Sequence, residues 1–189
     1  MLLALLTSVL CSASLFCVFT YITPTLTEVS GFSAGAVAPI LLLFGVGLTV
    51  GSTLGGKLGD RQLVPSILLI IAANAGALTL INLVSATRIP MIGMLFIWGT
   101  LAFALVPLLQ TLIVQHAEAA PNLASTLNQA AFNLGNAVGA WIGSRLLSVG
   151  VPLAESWASV ALTLGALGLA AWGSLLGSSS SGVVQTQSS

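Results

Sequence analysis

Charge is nearly absent from this sequence. Four of its 189 residues are Lys or Arg and four are Asp or Glu, 4% in all, and the net charge is zero. A soluble domain carries about 25%. A chain so poor in charge and 57% hydrophobic cannot cover a water-facing surface, so lipid is the solvent that suits it. Zero net charge also excludes the basic footprint of a nucleic-acid binder. Histidine occurs once and cysteine twice, which gives no ligand spacing for a metal. Cys11 and Cys17 share one apolar run and read as small packing residues. His116 stands between Gln115 and Glu118 in a loop, and no Gly-x-Ser-x-Gly elbow is present, so no nucleophile and base are paired. Neither an enzyme nor a cofactor is expected.

Long apolar runs are what the sequence has. The first, MLLALLTSVLCSASLFCVFTYI, has no basic residue near its start, unlike a signal peptide. It also reaches the roughly 20 residues that cross about 30 Å of hydrocarbon. The punctuation of the chain predicts six spans at about 1–22, 35–56, 63–86, 90–114, 123–147 and 153–176. Pro24, Glu28 and Gly31 mark a polar loop after the first, and Pro121 suits the first turn of the fifth. Short connections imply antiparallel neighbours. The expected fold is therefore an all-α integral membrane protein, one six-helix bundle over 1–176. A Gly/Ser/Gln-rich tail at 177–189 is expected to be disordered.

The few charges are not scattered evenly. Lys57, Asp60 and Arg61 fall within five positions, directly after Gly47, Gly51 and Gly55 on the second span. Glycines four apart let another helix approach closely. With six spans both termini share a side with the second loop, while Arg88 and Arg145 fall opposite, so two cations face two.

Gly56, Leu58, Asp60 and Arg61 resemble the signature between the second and third helices of each half of major facilitator superfamily transporters, although Gln62, Leu63 and Val64 depart from its continuation. LNQAAFNLGNAVGAWIGSRLL on the fifth span is similar to the eleventh helix of drug/proton antiporter-type members, the sugar- and arabinose-efflux-like permeases. FTYITPTLTEVSGFSAGAVAPILLLFGVG resembles their seventh and eighth helices. The resemblance covers about residues 5–175 and is to the second half of such a carrier. It implies efflux-type transport of a small molecule such as a drug or sugar. It also implies the inner membrane, with both termini cytoplasmic. Carriers of this family have two six-helix halves with the substrate between them, so a second half, from a longer chain or another subunit, is the implied partner beside lipid and substrate. Half-length resemblance favours a segment of a longer carrier. A six-span structural or channel subunit acting as a homo-oligomer is the alternative.

Candidate residues follow from polarity inside spans. Gln129, Asn133 and Asn136 stand at i, i+4 and i+7 on the fifth span, one face of a helix. They serve either as a hydrogen-bonding wall of a substrate cavity or as glue between helices, worth about 0.6 to 2 kcal/mol each. Gly135, Gly139 and Gly143 beside them read as packing. Thr20 and Tyr21 resemble cavity-mouth positions, with an interfacial aromatic as the other reading. Asn74 and Asn82 read as structural. No ionisable side chain is expected at the centre of a span, which leaves this half without an evident protonation site. The resemblance implies that the fifth span lies at the centre of the bundle, with the third and sixth outside. Gly56, Asp60 and Arg61 form a candidate gate, with the Asp60 carboxylate either against the first turn of the fifth span at Asn122 to Ser125, where unpaired N–H groups attract an acid, or left in water beside Lys57 and Arg61.

Overall fold

A computed structural model describes residues 1–117, 119–151 and 153–185, with side chains of the last helix as far as 176. Glu118 and the tail residues 186–189 lie outside the described residues. The elements are α1 (Leu2–Phe19), a one-turn α2 (Ile22–Pro24) running into a π-turn at Thr25–Val29, α3 (Ala34–Gly59), α4 (Leu63–Val84), α5 (Arg88–Gln115), α6 (Pro121–Ser148) and α7 (Ala154–Gln185). α7 thus continues past 176, where the sequence ends its apolar run. Five of the six long helices are long and apolar enough to cross a membrane. α6 has the length, 28 residues, but its polar side chains keep it outside that group.

The stretch expected as a polar loop after the first span is instead helical through Val29. Pro24 has no N–H to lose and sits where a new turn begins, so it does not break the path. The turn widens: Ser30 N donates to the Thr25 carbonyl at 3.1 Å, five residues back. The stop comes at Gly31, whose φ of +69° is one that glycine adopts without strain. The Arg88 guanidinium then donates to the Gly31 carbonyl, tying this corner to the start of α5.

Two glycine stripes decide which helices meet. Gly47, Gly51 and Gly55 of α3 lie against the Phe96, Thr100 and Ala104 carbonyls of α5. Gly135, Gly139 and Gly143 of α6 lie against the Val9, Ala13 and Cys17 carbonyls of α1. A methyl group at any of the six would overlap backbone, so close approach of the helices requires glycine here. Exchanging α1, α3 and α4 with α5, α6 and α7 preserves the pattern, since α4 packs on α5 as α7 packs on α1. Such a pair of three-helix repeats is the arrangement that the sequence resemblance implies.

The arrangement corrects the expected layout. α1 and α5 are central and touch each other, while α6 flanks α1 and makes few contacts with α5 and α7. α4, expected outside, is the most buried of the apolar helices. Its Ile67 and Ile71 pack with Leu105, Leu108 and Leu109 of α5. Near the other end Phe44 joins Phe19 (ring centroids 5.3 Å apart) and Trp98 (5.1 Å) across α1, α3 and α5. Large apolar side chains such as Leu42, Leu83 and Trp172 stand exposed, as a lipid-facing surface requires.

Candidate functional site

α1, α5 and α6 converge on a cavity of about 270 Å³. α1 supplies Cys11, Ser12, Leu15 and Phe16; α5 supplies Ala102, Phe103, Leu105 and Val106; α6 supplies Gln129, Phe132 and Asn136. The cavity exists because the α1–α6 glycine seam draws those helices together while α5 and α6 remain loosely packed. Its chemistry is aromatic and amide, with no charged side chain among the lining residues. Ser12 Oγ donates to the Phe132 carbonyl at 2.9 Å and contacts the Asn136 amide, joining α1 to α6 at the cavity wall. Toward the end where α6 begins, Asn128 Nδ2 donates to Gln110 Oε1 at 2.7 Å, a side-chain bond between α6 and α5.

The structure brings together two of the three expected amides, Gln129 and Asn136. Asn133 is exposed on α6 and does not line this cavity. Thr20 is exposed and donates to the Phe16 carbonyl of its own helix at 2.8 Å. Tyr21 lies outside the cavity too: its hydroxyl donates to the Ala140 carbonyl at 3.2 Å, and its ring rests on Gly143. Asn74 and Asn82 are buried on α4, and Asn82 Nδ2 donates to the Leu78 carbonyl at 3.1 Å. Sequence reasoning missed Ser12, Gln110 and Asn128. Gln110 was detectable as a lone amide inside an apolar run, whereas nothing in the sequence set Asn128, fully buried on α6, apart from the other polar residues of that span. Ser12 looked like any small residue.

The loop residues turn outward. Asp60 and Arg61 are exposed. Nothing lies within 4 Å of a methyl group built on Gly56. The Asp60 carboxylate makes no hydrogen bond to the first turn of α6 among the described residues, contrary to the expected contact. The glycine seam seats α3 on α5 rather than α6, which carries the loop away from Asn122 to Ser125. His116 is exposed, with Nδ1 2.7 Å from the Leu112 carbonyl of its own helix. It borders a larger cavity of about 670 Å³ between the ends of α1, α4, α5 and α7, whose lining is aliphatic apart from Thr7, His116 and Ser174. That space has few groups to orient a ligand.

Comparison with known proteins decides the family. The family model of the Major Facilitator Superfamily matches residues 1–140. The chain belongs to the Major Facilitator Superfamily. It is 36% identical over 156 residues to the inner membrane transport protein YdhP of Escherichia coli K12, covering 78% of this chain and 38% of YdhP. It is 35% identical over 166 residues to the MFS-type transporter YtbD of Bacillus subtilis 168, covering 85% and 42%. It is 32% identical over 152 residues to the chloramphenicol resistance protein of Streptomyces lividans, covering 78% and 38%. The chain thus spans about two fifths of the length of the curated relatives it matches. As a member with several membrane-spanning helices, it is a multi-pass membrane protein.

Proposed function

We propose that this chain forms the second six-helix half of an efflux-type secondary carrier in the inner membrane, with both termini cytoplasmic. The cavity between α1, α5 and α6 is its share of the substrate site. The observation that carries the reading is the cavity wall itself: Gln129, Ser12 and Asn136 offer neutral hydrogen bonds among Phe16, Phe103 and Phe132. Intramembrane polar groups are costly and gather where a pathway or bundle interior needs them. Such a wall suits an uncharged, amphipathic small molecule, in line with a relative named for chloramphenicol resistance. The exposed polar side of α6, including Asn133, is the surface that a first half would cover, and substrate sites of this family lie between the halves.

Gly56, Asp60 and Arg61 act in this reading as a gate toward that other half, because Asp60 and Arg61 are exposed and the space beside Gly56 is open. The carrier does no covalent chemistry, and no residue of this half serves as a catalyst. The test is transport by the whole carrier with Asn136→Leu. Transport should fall by up to about tenfold, one lost hydrogen-bonding partner being worth as much as about 1.4 kcal/mol in the occupied site, with membrane insertion unchanged. Normal transport with lowered stability would make the amide glue and contradict the cavity reading.

A further inference from the structure

The larger cavity, of about 670 Å³, is a well with four walls. Leu3 of α1 faces Gly173 of α7, and Ala4 of α1 packs with Ile113 of α5. Ile67 of α4 shares one apolar cluster with Leu109 of α5 and Ala170 of α7. The ring of α1, α5, α4 and α7 is therefore closed at the level of the cavity. The way in is at the end where α1 and α4 begin and α5 stops. Burial runs the same way: Leu2 and His116 are exposed, whereas Thr7, Ile67 and Leu109 are buried.

Polarity is graded along the well. Thr7 gives its hydroxyl proton to the Leu3 carbonyl at 2.8 Å, and Ser174 gives its own to the Ala171 carbonyl at 2.7 Å, each within its own helix. Apart from these two and His116, the lining is apolar. A carbonyl only accepts, so His116 Nδ1, 2.7 Å from the Leu112 carbonyl, is the donor, and Nε2 is left for a partner. An apolar cavity stays dry and takes up hydrocarbon. About 150 Å³ holds benzene, so by that measure this well has room for about two dozen carbon atoms, enough for a fatty-acid chain of ordinary length.

We propose that this well binds one fatty-acid molecule, with its chain among Thr7, Ile67 and Leu109 and its carboxyl group at His116. A carboxyl group suits this imidazole because the two can share one proton between an oxygen and Nε2. A chain already in the bilayer gains nothing hydrophobic by exchanging lipid for leucine. What favours entry is the dispersion contact that an empty well forfeits, together with the bond at its mouth. A phospholipid carries two chains, and a well ringed by four helices admits one, so the free acid fits better than the bulk lipid. The site is separate from the cavity between α1, α5 and α6. It is independent of the carrier reading and is measured without transport.

The experiment uses this chain in lipid nanodiscs with palmitic acid that carries a diazirine near its methyl end, and reads the photolabelled peptides by mass spectrometry. Label should fall on α1, α4 and α5 around Thr7, Ile67 and Leu109, and unlabelled palmitic acid should displace it. Label confined to exposed apolar positions such as Leu42 and Leu69, or label that palmitic acid cannot displace, overturns the proposal. Gly173→Leu should abolish the label by filling the well, since only Leu3 side-chain atoms lie within 4 Å of a methyl group built there. Undiminished label in that variant contradicts the site, and the competition on the parent chain decides even if the variant fails to insert. The head group is tested separately. Palmitic acid should compete about tenfold better than its methyl ester, as one hydrogen bond can provide, and His116→Phe should erase the difference. Equal competition in the parent, a preference that survives His116→Phe, or a lysophospholipid of the same chain that outcompetes the acid overturns the proposal equally.

Discussion

The two glycine seams are the same device with different surroundings. In both, three glycines four apart press one helix onto the carbonyls of another. At α3–α5 the neighbourhood is apolar and aromatic, and Thr100 spends its hydroxyl on the Phe96 carbonyl of its own helix at 2.9 Å. At α1–α6 the same steric seam is joined by Ser12 with Phe132 and Asn136, and by Tyr21 with Ala140. The first seam holds helices together. The second also presents hydrogen-bonding groups to a cavity. A repeated fold can thus keep its packing rule in both repeats and put polar chemistry in one.

The sharpest way to break the comparison is to remove its common part. Gly51→Leu and Gly139→Leu should each cost about 3 kcal/mol or more by overpacking against backbone, seen as loss of monodisperse protein in detergent. If one survives, the seams are not equivalent. A smaller effect separates them: Ser12→Ala should cost about 1 kcal/mol, whereas Thr100→Val should cost less than about 0.5 kcal/mol, both read by reversible unfolding in mixed micelles. Equal losses would mean that the polar contacts of the second seam add nothing. The smallest effect belongs to Gly56→Ala, where open space predicts a change within about 0.5 kcal/mol in this half. A large loss there would show that Gly56 packs within this half after all.

The fold class was legible because apolar runs of spanning length and the loop motif report solvent and topology directly. The glycine spacing likewise revealed a packing face. It did not reveal which helix would occupy that face, because a four-residue period describes one surface and not its partner. Hence α6 was expected at the centre and lies on a flank. The helical stretch after Phe19 was hidden by Pro24 and Glu28, which mark loops in isolation but fit a first turn. Gln129, Asn133 and Asn136 share a face only loosely. At 100° per residue Asn133 is about 60° around α6 from Asn136, enough to keep it off the cavity wall. An acid at a helix start looks solvated in the sequence, yet Glu155 in the first turn of α7 is buried; the four-residue spacing of Glu155, Ser159 and Thr163 was the available sign that this side of α7 is buried.

The most direct measurement asks whether the α1–α5–α6 cavity is a wet part of a transport path. In a whole carrier with Cys11 and Cys17 replaced by Ala, Gln129→Cys should react with a membrane-impermeant, water-soluble thiol reagent, and transport should stop as it reacts. Leu69→Cys, an exposed apolar position within the length of α4, should neither react nor matter. A Gln129→Cys that stays unmodified, or a fully modified carrier that transports as before, would contradict the proposed site.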